Sequence, residues 1–512
     1  MIRPGYIVYA LIPLLMILRF PANADVKLPA LISDNMMLQR DIPVPIWGTA
    51  APGEHIKVEI GEQTASTVAK PDGRWQVKLA PMKAGGPLEM VVTGKNTLKV
   101  RNILVGEVWL CAGQSNMVMK VSQCDNSAQE IADAKNYPEI RHYKVDLKAS
   151  PEPLTDTVGK WEVCSPQTVG EFTATGYFFA RDIYKTLKVP VGIILSAWGG
   201  SNMESFMRLD VLKAHPVESA PYFKLWEERK AAFPAEHEAA QKAAEEAKAA
   251  GKPAPKMRTL EGHQARPASI YNAMISPLIP YGMRGVLWAG GKANRGRGLE
   301  YRVLMPAMIQ DWRKSWGLGD FPFFLCQMAN WVSKDPNEHW EELRESMLKT
   351  TDLKNTGMVV DIDIGDPSNI HFTNKQEVSR RFALQAKAKV YGMDVVADGP
   401  IYTSMTVEGG AIRLHFKSIG GGLAARGGGP LKGFVIAGAD RKFVPAVATV
   451  DGDSIVVSSK EIASPVAVRY GWEMNPDCNL INKAGLPASP FRTDDWPFWE
   501  GVHSTESPAE EG

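Results

Sequence analysis

An α/β core flanked by two β-rich regions is the fold class this sequence predicts, and three observations predict it. Between Ile103 and Gly365 the short apolar runs "ILVGEVWLCA", "VPVGIILSAWGG", "GVLWAGG", "FPFFLCQMA" and "TGMVVDIDIG" alternate with stretches of helical spacing. Buried parallel strands are apolar on both faces and need a crossover between neighbours, so they read as continuous runs separated by helices. Before this region, and again after about Val396, apolar and polar residues alternate between Gly- and Pro-containing turns, the pattern of antiparallel strands.

The elements follow in chain order. Residues 1–24 read as a secretory signal peptide, because Arg3 precedes "YIVYALIPLLMIL" and Ala22-Asn23-Ala24 offers a small-residue cleavage site before Asp25. That run is short for a bilayer span and no later segment is longer or more apolar, so the expectation is export to the periplasm or the extracellular space, with no membrane partner after cleavage. Residues 25–103, with turns at "APGE" and "KPDGRW", predict a β-sandwich. Residues 104–395 carry the α/β core, where Leu304, Met308 and Trp312, and Val378 and Phe382, recur at a spacing of four. Inside it "WEERKAAFPAEHEAAQKAAEEAKAAGKPAPK" predicts an exposed helical insertion over about 215–256, ending at the Gly251 to Pro255 breaker and without a functional role. A C-terminal β domain is expected over 396–500, and the polar tail 501–512 is expected to be disordered.

Composition narrows the function. Of the 512 residues 45% are hydrophobic and 22% charged, with a formal net charge of +1, which gives no electrostatic reason to expect nucleic acid as a partner. Cys111, Cys124, Cys164, Cys326 and Cys478 are too few and too scattered for a disulfide framework and show no metal-ligand spacing. Cys111 and Cys326 lie in apolar runs and read as small buried thiols. No metal or cofactor is expected, and no pattern specifies an oligomeric state.

In an open α/β sheet ligands bind beyond the carboxyl ends of the strands, which singles out four loops: Gly113–Met117, Gly199–Glu204, Gly290–Asn294 and Gly365–Phe372. The first supplies Ser115, either a nucleophile or a hydroxyl that satisfies a tight turn. The last supplies His371, just ahead of "TNKQ", where Thr373 and Gln376 have capping-box spacing. Attack by a hydroxyl requires a base for its proton, so a Ser and a His on one sheet edge are worth more than either alone. The middle loops offer donors for a developing oxyanion, in Gly199 and Gly200, whose backbones allow close approach, and in the Asn294 amide. Gly290-Gly291-Lys292 lacks the length and the following Ser or Thr of a phosphate loop.

Together these residues resemble the sialate O-acetylesterases and their bacterial relatives, carbohydrate esterases of the SGNH hydrolase fold. The similarity runs from about residue 26 to 496 and includes "GEVWLCAGQSNM", "VPVGIILSAWGGSNMES", "RPASIYNAMISPLIPYGMRGVLW", "DIGDPSNIHFTNKQEVSRRFAL", "VRYGWEMNP" and "GLPASPFRTDDW". The resemblance implies a three-layer α/β/α core and a secreted, cofactor-free deacetylase acting on O-acetylated sugars or glycans. By position Ser115 would be the nucleophile and His371 the general base, with the Ser115 and Gly200 N–H groups and the Asn294 side chain as oxyanion hole. This chain departs from the family pattern at Gly290, Lys292 and Ala293, where relatives commonly carry Gln, Glu and Ser, and at Asn369, where they carry Asp. Asp366 is the nearest upstream carboxylate and the alternative partner for His371. Lys292 is either a solvated charge or, with Arg295 and Arg297, a cationic cluster for a carboxylate or sulfate on the sugar. An esterase of this type is therefore the first expectation, and a weakened or inactive member that binds acetylated glycans the second.

Overall fold

The computed structural model describes residues 25–253, 259–333, 335 and 338–497; the expected signal peptide, the C-terminal tail and part of the breaker after the insertion lie outside the described residues. Residues 25–103 fold as strands whose alternating side chains face inward, as at β5 (Arg74–Leu79), where Trp75, Val77 and Leu79 are buried and Arg74, Gln76 and Lys78 exposed. β5 pairs with β2 (Val44–Thr49), while β1 (Met37–Gln39), β3 (His55–Ile60), β4 (Gln63–Val68) and β6 (Gly85–Thr93) join a sheet through β7 (Thr97–Gly113). β7 runs unbroken across the expected boundary at 103/104. Its first half pairs with β6 and β1, and its second half enters the core sheet.

The five apolar runs form β7, β10 (Val191–Ala197), β11 (Gly285–Ala289), β12 (Phe323–Cys326) and β13 (Thr356–Val359), all mutually parallel. With β8 (Ile140–Lys144) and β9 (Trp161–Val163) the order is β13-β12-β11-β7-β10-β8-β9, and β9 alone is antiparallel to its neighbour. β8 escaped the sequence reading because its buried run "IRHY" contains Arg141 and His142. Burial pushes the His142 imidazole down to about 3, so it sits uncharged, stacked on Phe172 at 4.5 Å.

The helices are α1 (Ser115–Val118), α2 (Ser127–Asp133), α3 (Ala174–Leu187), α4 (Leu209–Ala214), α5 (Pro216–Ala249), α6 (Gly298–Trp316), α7 (Trp340–Thr350) and α8 (Lys375–Lys389). Side chains of β7 alternate between the faces of the sheet. Trp109 and Cys111 join a core with α3 and α8, and Val108, Leu110 and Ala112 join one with α6 and α7. The result is a three-layer α/β/α arrangement. Leu304, Met308 and Trp312 of α6 and Val378 and Phe382 of α8 are buried, as their spacing predicts.

Antiparallel strands return after Ile401 around Ile412, Leu414, Ile455, Val457, Val468 and Tyr470. This region braces the core through Arg344, a buried guanidinium that donates to the carbonyls of Met328, Ala329, Glu473 and Met474. Five donors in a rigid fork let one side chain hold two loops. Among the described residues no helix is long and apolar enough to cross a membrane.

Candidate active site

β7 ends at Gly113, where φ is +124° and an added Cβ would lie 2.2 Å from the Ala289 carbonyl oxygen, so only glycine fits. The chain turns there and Ser115 opens α1. A first-turn N–H has no acceptor within its own helix, which leaves the Ser115 N–H without a protein acceptor among the described residues. Ser115 Oγ lies 2.7 Å from His371 Nε2, so the first and last of the four loops meet.

The second loop touches the first: a Cβ built on Gly199 would lie 3.4 Å from Ser115 Cβ. Gln264 Nε2 donates to the Gly199 carbonyl at 3.1 Å. In a trans peptide C=O and N–H point oppositely, so the Gly200 N–H is turned away from Gln264; it has no acceptor among the described residues. Gln114 clamps three loops, donating to the Ser201 carbonyl and accepting the Gly291 N–H at 2.9 Å.

Several expected residues are placed differently. Asn294 is 1% exposed, donates Nδ2 to Glu204 Oε2 at 2.8 Å and accepts the Met203 N–H at 3.1 Å. Its amide ties two loops together behind the cleft. Arg297, 9% exposed, pairs with Glu204 and donates to the Ala293 carbonyl at 3.1 Å, away from the cleft lining. Buried Glu204, unremarked in the sequence, draws both donors inward because an unpaired buried carboxylate is costly. Arg295 and Lys292 do line the cleft; Arg295 pairs with Glu338 at 3.2 Å, and Lys292 Nζ lies 4.5 Å from the Trp331 ring centre.

Asp366 is not brought to His371. Its Oδ1 accepts the Ser368 N–H at 2.8 Å and Oγ–H at 2.7 Å, a local turn in which the Ser368 hydroxyl holds the carboxylate below its ordinary range. Asn369 Oδ1 instead accepts the backbone N–H of His371 at 2.9 Å. No carboxylate among the described residues contacts the imidazole. Burial, with Lys375 and Lys292 nearby, lowers the His371 pKa, so the ring is a neutral base at pH 7. Nor is Thr373 the cap of α8. Asn374 accepts the Glu377 N–H at 3.1 Å, and Gln376 reaches the Asp125 carbonyl at 2.6 Å.

The cleft holds about 820 Å³ and its lining includes residues that sequence reasoning passed over. Tyr222, Leu225, Trp226 and Arg229 of α5 stand on one wall at helical spacing, with Arg229 3.2 Å from His263 Nε2. The insertion expected to lack a role is thus two things: a wall over its first turns, and beyond Trp226 a helix without a buried residue. The stripe was legible at i, i+3, i+4 and i+7, but the Ala/Glu/Lys composition around it outweighed it. On the floor lie Cys326, Asp361 and Lys375. Cys326 Sγ is 3.0 Å from Asp361 Oδ2, and burial pushes the Asp361 carboxyl up to about 6. All five cysteines are free thiols.

The geometry has counterparts among known proteins. Residues 105–239 match the family model described as carbohydrate esterase, sialic acid-specific acetylesterase. The chain is 31% identical to rat (Rattus norvegicus) sialate O-acetylesterase over 435 residues, covering 76% of this chain and 78% of that one. It is 29% identical to the mouse (Mus musculus) protein of the same name over 546 residues, covering 96% and 98%. Among solved structures, a carbohydrate acetylesterase from Xanthomonas citri superposes with a TM-score of 0.78 at 38% identity, over 92% of this chain and all (100%) of that one. Sequence, fold and full-length coverage agree, and the chain belongs to the sialate O-acetylesterase family of carbohydrate esterases.

Proposed function

We propose that the protein is a serine ester hydrolase that removes O-acetyl groups from sugars or glycans, with Ser115 as nucleophile and His371 as general base. The 2.7 Å contact between Ser115 Oγ and His371 Nε2 carries this reading. Ser115 Oγ attacks the acetyl carbonyl while Nε2 takes its proton. The N–H groups of Ser115 and Gly200 stabilise the oxyanion; with the Asn294 amide spent on Glu204, the hole consists of these two backbone donors. His371 then returns the proton to the departing sugar oxygen, deprotonates water for attack on the acetyl-Ser115 ester, and reprotonates Ser115 as acetate leaves. The test is acetate release from acetylated sugars and from p-nitrophenyl acetate by wild type and Ser115→Ala. Equal rates in the two proteins would refute it.

A second reading is favoured by one observation, the missing carboxylate at His371: a weakened member that binds acetylated glycans with little turnover. Binding of an acetylated glycan without Ser115-dependent acetate release would select it.

The α5 wall supports a role in gripping the sugar, since an aromatic face beside a cation suits a ring bearing hydroxyls. Trp226→Ala is expected to raise KM for an acetylated sugar about tenfold, equivalent to ~1.4 kcal/mol, with kcat/KM for p-nitrophenyl acetate unchanged. Equal losses on both substrates would mean that Trp226 acts only through folding. Export is proposed from the leader alone: cleavage after Ala24 would give a secreted chain beginning at Asp25, which intact mass measurement of the exported protein checks.

A further inference from the structure

The Ser115 and His371 loops are closed into a ring by two hydrogen bonds. One is the Ser115–His371 contact. The other joins their chain neighbours, Asn116 donating Nδ2 to the Ile370 carbonyl at 3.2 Å. At the opposite end of the same amide, Oδ1 accepts from Lys375 Nζ at 2.8 Å. An ammonium can only donate, so it dictates which end of the Asn116 amide faces it and leaves the donor end for Ile370.

Lys375 is a costly place for a cation. It is 1% exposed and is the first residue of α8, where the helix dipole disfavours positive charge; burial has pushed its pKa down to about 8. Its support is Asn116 Oδ1, the Phe372 ring centre at 3.4 Å and the potential of buried Asp361. An apolar residue would pack there without that cost, so stability alone does not account for the charge.

We propose that Lys375 is a positioning residue for the Ser115–His371 pair, orienting Asn116 so that it fixes the spacing of the two catalytic loops where no carboxylate holds the imidazole. The proposal rests on the assignment of Ser115 and His371 as nucleophile and base. The charged groups acting on His371 are Lys375 from α8 and Lys292 from the loop after β11.

The experiment compares wild type, Lys375→Met, Lys375→Arg, Asn116→Ala and the Lys375→Met/Asn116→Ala double variant. The readouts are the rate of Ser115 labelling by a fluorophosphonate against pH, the His371 ring titration by NMR, and thermal unfolding. Lys375→Met is expected to label about tenfold more slowly. Its acid limb should move to higher pH, because removing a neighbouring cation raises the His371 pKa and the neutral ring is the active form. Lys375→Arg should keep the acid limb of wild type, and the double variant should be no slower than Asn116→Ala. A folded Lys375→Met that labels at the wild-type rate, an unmoved acid limb, or multiplying effects in the double variant would each overturn the proposal. Should Lys375→Met not fold, Asn116→Ala decides, and labelling at the wild-type rate overturns it. Should wild type not label at Ser115, the hydrolase reading fails, while an unmoved His371 titration in Lys375→Met separately overturns the role of Lys375.

Discussion

Ser115→Ala and His371→Ala are each expected to lower kcat on an acetyl ester by on the order of 10⁴- to 10⁶-fold, and the double variant to be no worse than the poorer single one. The reason is the geometry of the pair. Ser115 Oγ and His371 Nε2 are 2.7 Å apart and in the proposed mechanism exchange one proton, so removing either group would disable the same step. The N–H groups at Ser115 and Gly200 belong to the backbone and survive both substitutions, which sustains a residual rate above that of water. Acetate release at saturating substrate, with circular dichroism to confirm folding, measures this. Additive losses would mean that the two residues serve different steps.

Asn369→Asp is expected to raise kcat by between about tenfold and 10³-fold. The range stays below the ~10⁴-fold loss seen when a triad carboxylate becomes an amide, because the carboxylate here would be introduced into a loop not built around it. His371 now faces two cations and no anion, so the imidazolium that the proposed mechanism requires is disfavoured. A carboxylate at 369, whose side chain already accepts the backbone N–H of His371, would supply the missing counter-charge. The sign of the pH effect follows: a nearby anion raises the ring pKa, the neutral ring is active, and activity is lost on acidification at a higher pH than in wild type. The gain should therefore be larger at pH 8 than at pH 6. Asp366→Ala should leave kcat within about twofold, as for a surface change away from the site. If Asn369→Asp has no effect and Asp366→Ala slows the enzyme, Asp366 is the partner after all.

Much of this site could be read before any coordinates. The apolar runs placed Ser115 and His371 on one sheet edge, because parallel strands send their following loops to the same side. Asn294 was placed on the right loop and Arg297 just beyond it, but neither in the direction the structure gives. That depended on Glu204, a carboxylate ninety residues upstream of Asn294 whose burial reorients both. The link between Asn116 and Lys375 was invisible for a related reason. Each is an ordinary polar residue next to a recognisable one, and only the crossing of two distant loops turns them into a bridge. Local spacing reports which face an element buries. It carries no information on which polar group meets which across the fold.

β7 gives the molecule a mechanical unity that a division into domains conceals. Seventeen residues of continuous strand begin in the N-terminal sheet and end two residues short of Ser115. Two residues past its midpoint Glu107, wholly buried, is pinned by Arg40 at 2.6 Å and by Arg284 at 2.7 Å. The position of Ser115 is thus referenced along a stiff rod to the N-terminal sheet as well as to the core. Cutting the chain within β7 would leave half a strand unpaired, and a substitution deep in the first hundred residues has a direct line to the Ser115 hydroxyl.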